Sequence, residues 1–341
     1  LRKHLHLIGL VAASLLALKV VIPVAEREPP DRQEDAPGPF TKPMLILGPM
    51  APMVDIPTAD ASRASDLIRR EESVLGVEIN GEARAYPIEM MRYLEREILN
   101  DTLGGVPIAV TWCDRCQSGI VYGREVEGRE LTFHVNGMLY HGNMVMVDSE
   151  TGTLWSQLQG LGLDGSLAGR QLGGFPAVIT PWHAWQARHP QTSVLNFDRE
   201  PEGPSPPPEG EILPHQERLS PGPSKDFLLG INRGDEGRAW KLGDLRRNPV
   251  LNELACGIPL VLIHDSESDT FLAFDRRVDG IELTFRGEGG RIVDDQTGSV
   301  WDAGSGRAVD GPRSGSILKA VRTTITLASA WEKLYPPGPR P

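Results

Sequence analysis

Apolar and polar residues alternate over most of the stretch between residues 74 and 157, and a period of two predicts strands, not long helices. Residues 77–79 and 82–86 flank Asn80-Gly81, a pair that tolerates positive φ at both positions and so predicts a tight hairpin. Further strands are expected at 106–112, 119–126 and 129–135, the last two joined through Glu127-Gly128. Residues 144–148 and 153–157 flank a third turn at 149–152. Two segments break the pattern. Residues 87–99 carry the spacing of a short amphipathic helix with Pro87 in its first turn, and 181–188 read as another. The expected class is α+β and β-rich: a mostly antiparallel sheet with short helices.

The pattern then repeats. VLGVEINGEARAYPIEMM (74–91) is echoed by LLGINRGDEGRAWKLGDL (228–245), and ILNDTLGGVPIAV (98–110) by VLNELACGIPLVL (250–262). VYGREVEGRELTF matches AFDRRVDGIELTF, DSETGTLW matches DDQTGSVW, and AWQARHP matches AWEKLYP, all in the same order. Ordered self-similarity of this kind predicts a tandem duplication. Residues kept in both copies are then expected to serve folding, and residues confined to one copy are the candidates for chemistry. Trp155 with Trp301, Trp185 with Trp331, Pro107 with Pro259 and Phe133 with Phe285 fall in the first class.

Composition sets the frame. A chain of 341 residues suits two domains better than one core, and 29 prolines with 37 glycines favour turns over long helices. The Pro- and charge-rich stretches 26–43 and 198–224 read as linkers around units at 44–197 and 225–337. A net charge of -11 repels a phosphate backbone, so nucleic acid is not an expected partner. Residues 1–25 open with Arg2 and Lys3 and continue as an apolar run, about the ~20 residues that cross a membrane. The charge bias places the amino terminus inside, so the remainder is expected outside the cytoplasm on a transmembrane anchor. A cleaved signal peptide is the rival reading. Pro23 is a poor residue for the cleavage site, and cleavage would leave a secreted protein.

The candidate chemistry lies in the first copy. Cys113 and Cys116 form a Cys-x-x-Cys between two expected strands, where the second copy has Asp265 and Ser268. After the shared Leu-Thr-Phe, the first copy carries HVNGMLYHGNMVMV and the second a stretch six residues shorter. All eight methionines lie at or before residue 146. Thiolate, thioether and imidazole form a soft set that suits copper, which makes Cys113, Cys116, His134 and His141 the metal candidates, with Met138, Tyr140, Met144 and Met146 as further neighbours. Met144 and Met146 share a strand face and also fit a core. A second reading is a thiol-disulfide oxidoreductase, although a hairpin knuckle lacks the helix dipole that activates a thioredoxin-type pair. A third is an inert structural disulfide in an interaction module; on the copper reading the second copy is expected to be a scaffold or to dock a protein partner. Structural zinc would need a second knuckle, and neither a phosphate loop nor a nucleophile elbow occurs. His183 and His189 read as surface or capping residues, and Cys256 as a small buried side chain.

The blocks VLGVEINGEARAYP, ILNDTLGGVPIAVTWCDRC, IVYGREVEGRELTF and NMVMVDSETGTLWSQLQG, over about 74–170, resemble the family known as domain of unknown function 3179. The resemblance implies an exported or membrane-attached protein of a bacterial or archaeal type, with Cys113 and Cys116 as its site and no settled activity. The family's knuckle resembles Cys-Pro-Leu-Cys-Gly-Thr, whereas this chain has Cys-Asp-Arg-Cys-Gln-Ser, and the family's His-Glu pair stands here as Arg96-Glu97.

Overall fold

Asn80 and Gly81 both take positive φ, at 51° and 82°, and turn Ser73–Ile79 back onto Glu82–Pro87 as the sequence predicts. The computed structural model describes residues 50–66, 68–197, 215–219 and 226–336, and in them the chain is β-rich, with several antiparallel sheets and a few short helices. Ala177–Pro181 pairs with the free edge of Ser73–Ile79. Ser193–Leu195 lies parallel to Glu82–Pro87, with Thr58–Asp60 outside it. A second sheet runs Ile98–Leu103, Val106–Cys113, Ser118–Gly123, Gly174–Phe175, and a third runs Phe133–Tyr140, Asn143–Asp148, Leu154–Ser156, Gly162–Asp164.

From residue 227 the same order of pairing recurs. Phe227–Arg233 lies between Glu236–Lys241 and Thr324–Leu327. Val250–Ala255, Ile258–Asp265, Thr270–Asp275 and Lys319–Ala320 make the next sheet. Phe285–Glu288, Arg291–Asp294, Val300–Trp301 and Ala308–Asp310 make the last.

Side chains common to the two halves satisfy backbone donors and acceptors and ring N–H groups that the sheets would otherwise leave unpaired. The Asp148 carboxylate accepts from Thr151 N (2.6 Å), Thr151 Oγ1 (2.8 Å) and Trp155 Nε1 (2.9 Å). Asp294 accepts from Thr297 N (2.7 Å), Thr297 Oγ1 (2.8 Å) and Trp301 Nε1 (2.9 Å). Asn100 exchanges bonds with both backbone groups of Phe133, and Asn252 does the same with Phe285. Arg124 spans the carbonyls of Ile108 and Leu131, and Arg276 those of Leu260 and Leu283.

Glycine is required where each helix lies on its sheet: a Cβ on Gly76 would stand 2.3 Å from Trp185 Cε3, and one on Gly230 would stand 2.3 Å from Trp331 Cζ3. Gly230→Ala is therefore expected to displace the Trp331 ring and to cost about 1–3 kcal/mol of stability by overpacking, measured by chemical denaturation.

The two halves share an interior. One buried cluster joins Leu75, Met90, Val110 and Trp112 of the first to Leu229, Leu260, Phe271 and Ile325 of the second. The contact is reciprocal. Thr180 Oγ1 lies 2.8 Å from Thr270 Oγ1, while Thr326 Oγ1 and Leu327 N each donate to the Cys116 carbonyl at 3.1 Å.

Two expectations need correction or placement. The helix expected at 87–99 covers only Ile88–Met91, followed by a 3-10 turn at Leu94–Arg96 and then the strand Ile98–Leu103. Ile98 and Leu99 have apolar spacing that fits a helix, but their backbone is taken by the ladder to Val110 and Thr111. The expected membrane span, 1–25, lies outside the described residues, and among those described no helix is long and apolar enough to cross a membrane.

Candidate functional site

Val106–Cys113 and Ser118–Gly123 are paired from Ile108 to Cys113, and the four residues between them make the knuckle expected from the sequence. Cys116 N donates to the Cys113 carbonyl at 3.1 Å, and Gln117 takes a left-handed φ of 51° to re-enter the sheet. Cys113 and Cys116 are joined as a disulfide, with Cα atoms 5.3 Å apart. Cys113 is 2% exposed and Cys116 is fully buried.

The residues found only in the first half close over this bond. Phe133–Tyr140 and Asn143–Asp148 form a long hairpin whose tip, His141-Gly142, has φ of 52° and 83°. The Gly142 carbonyl oxygen lies 3.6 Å from Cys116 Sγ, and Asn143 Nδ2 donates to the Ala330 carbonyl of the second half. The second half has a shorter hairpin closed by Gly289-Gly290.

The metal candidates do not come together around copper. Cys113 and Cys116 face each other at disulfide distance, and sulfurs joined to each other carry no thiolate charge for a metal. His134 and His141 are near in sequence but lie at opposite ends of the hairpin, since six strand residues span about 20 Å. His134 pairs with Ser149 at 3.3 Å, and burial lowers its pKa against the pull of Asp148 and Glu150. The His141 ring packs edge-on against Tyr140 at 4.5 Å between centroids. Met144 and Met146 are core residues, 3% and 0% exposed, in the cluster that also holds the cysteines, whereas Met138 is half-buried on the hairpin. Among the described residues no group of three His, Cys, Asp or Glu is placed to hold a metal ion.

Glu97 is the residue that pattern reasoning missed. Its carbonyl accepts from Trp112 N at 2.8 Å and its Oε1 from Asp114 N at 3.0 Å, so it grips the knuckle from the bend just ahead of the neighbouring strand. Burial pushes its carboxyl up to about 8, and the Asp114 charge adds to this against the Asp114 N–H bond. Its only signal in sequence was its place in the pair Arg96-Glu97. Asp114 itself is held by Arg92 Nε at 2.9 Å and Trp112 Nε1 at 3.3 Å.

The second half bridges the same two positions without sulfur. Ser268 Oγ donates to Asp265 Oδ2 at 2.7 Å, and Arg188 pairs with Asp265. Asp269, at the place of Gln117, is bound by Arg246 (2.6 Å) and by His264 (2.7 Å). Burial alone would raise its pKa, but these two partners hold it at about 2.

No curated protein and no solved structure matched the chain. The family described as "Protein of unknown function (DUF3179)" matches residues 50–338, which takes in both halves and the turns just compared. With the match running through the knuckle, its shorter-hairpin counterpart and the shared interior, the chain belongs to the DUF3179 family.

Proposed function

We propose that this chain is an interaction module working outside the cytoplasm, built from two diverged copies of one unit, with Cys113–Cys116 as its internal cross-link. One observation carries the reading: the first and fourth knuckle positions are bridged in both halves, by a disulfide in one and by the Asp265–Ser268 hydrogen bond in the other. A bridge that can be made without sulfur is needed for shape. Descent from a duplication is supported by the repeated order of pairing and by the matched bonds of Asp148 and Asp294. Placement outside the cytoplasm is supported by the disulfide, since such bonds persist in oxidising compartments, and by the basic-then-apolar start of the chain.

Dithiol exchange fits less well. It needs a thiolate to reach a sulfur, and both sulfurs are buried beneath the hairpin tip. A docking role for the second half is supported by Leu254, Ile281, Val309 and Ile317, apolar side chains that are exposed there.

The test is a thiol and metal count on protein purified without chelator or reductant. The expected result is one thiol, Cys256, reactive only after denaturation, and no stoichiometric copper. Replacing both Cys113 and Cys116 by Ser should lower stability by about 2 kcal/mol, the scale for so short a closed loop, and leave the fold intact. Two further reactive thiols, with copper that disappears in Cys113→Ser, would overturn the reading.

A further inference from the structure

Residues His215–Arg218 form a single helical turn in the stretch that joins the halves, and it is sunk between them: His215 is 1% exposed and Arg218 5%. Both halves hold it. His215 N donates to the Glu71 carbonyl at 2.8 Å, and the imidazole stands between Ser73 Oγ (3.0 Å from Nδ1) and the Asp269 carbonyl (3.1 Å from Nε2). Arg218 pairs with Glu89 and reaches Gln117 Oε1 at 3.4 Å, while Arg246 donates to the Leu219 carbonyl at 3.4 Å. Gln117 and Asp269 are the left-handed residues at matching places in the two knuckles, so this short segment ties one knuckle to the other.

The hydrogen bonds fix the proton on the ring. A carbonyl oxygen only accepts, so Nε2 carries the hydrogen and Nδ1 takes the Ser73 hydroxyl proton. Both nitrogens of the neutral ring are thus satisfied. A second proton at Nδ1 would make the Ser73 hydroxyl turn and accept instead of donate, and would place a charge where water does not reach.

The surrounding charges give it little relief. The Asp269 carboxylate is engaged by Arg246 and His264, and the Glu71 side chain is exposed and turned toward Arg70 and His183. Glu72 is buried nearby and has partners of its own, whereas Arg246 and Arg218 add like charge. Burial, helped by Arg246, lowers the His215 pKa against the pull of Asp269 and Glu71.

We propose that residues 215–219 are an acid-released strap: proton uptake by His215 favours the undocked segment, where water reaches the charged ring, over the buried place between Ser73 and the Asp269 carbonyl, and frees the segment from the seam between the two knuckles. An undocked imidazole takes its proton near the ordinary value of about 6.5, and the docked ring takes it lower. Docking is therefore complete above that pH and weakens about tenfold for each pH unit below it, until the docked ring is itself protonated.

Hydrogen exchange of the full chain tests this at the amides of His215 and Leu219, which donate to Glu71 and His215. Corrected for intrinsic rates, their protection should fall as pH drops below about 6.5, at most about tenfold per pH unit, until the docked ring takes its own proton. In His215→Gln, whose amide can donate to the Asp269 carbonyl and accept from Ser73, protection should stay level. Imidazole NMR of the unaltered protein gives an independent reading even if the variant undocks: protection must already be falling at pH values where the docked ring is still neutral. Protection that stays level in the unaltered chain, or His215 taking its proton while protection holds, overturns the proposal.

Discussion

Glu97→Gln is expected to leave stability unchanged near pH 4.5 and to raise it on the order of 4 kcal/mol by pH 8, read from urea denaturation across that range. The sign follows from proton binding. In the folded chain burial holds the Glu97 carboxyl up to about 8 from an ordinary 4.5, so between those values the folded form keeps a proton that the unfolded form has lost. Stability contributed by the neutral carboxyl is full below 4.5 and is lost at about 1.4 kcal/mol per pH unit as pH rises toward 8. Glutamine keeps an oxygen for the Asp114 N–H and has no proton to lose. A variant whose stability falls with pH as steeply as the parent's would show that Glu97 is already ionised in the fold.

Asp148→Ala and Asp294→Ala form the second large pair. Each removes the acceptor for an indole N–H in a place closed to water and for the N–H and hydroxyl of a partly buried turn threonine. Leaving such donors unmet costs about 1–3 kcal/mol each, so a loss of roughly 3–5 kcal/mol is expected for either change. The two losses should agree within about 1 kcal/mol, because the bond lengths in the two halves agree to 0.1 Å. Losses differing several-fold would mean that the matched geometry hides unmatched energetics. A small loss in both would mean that water reaches these donors.

What could be read in advance follows from how local each cause is. Asn80-Gly81 forms its hairpin because the two residues decide their own φ, and the Cys-x-x-Cys knuckle follows because the strands on either side fix its ends. Likewise, comparing the two halves set Trp155 and Trp301 apart as expected scaffold, and each is anchored on an aspartate within its own turn. Nearness along the chain misled in the case of His134 and His141, since on an extended strand it means distance in space. Helical spacing misled at Ile98 and Leu99, where the ladder claims the backbone. Glu97, His215 and Arg218 owe their environments to elements far away in sequence, and no pattern near them announces burial.

The bonds from Thr326 and Leu327 to Cys116 also set an order in time. They cross 210 positions in the case of Thr326, so a ribosome finishes the cysteine turn long before it has made the strand that seals it. Until that last piece arrives the backbone of the turn has no partner from the far strand, so covalent closure of the two sulfurs can come first with the cap following.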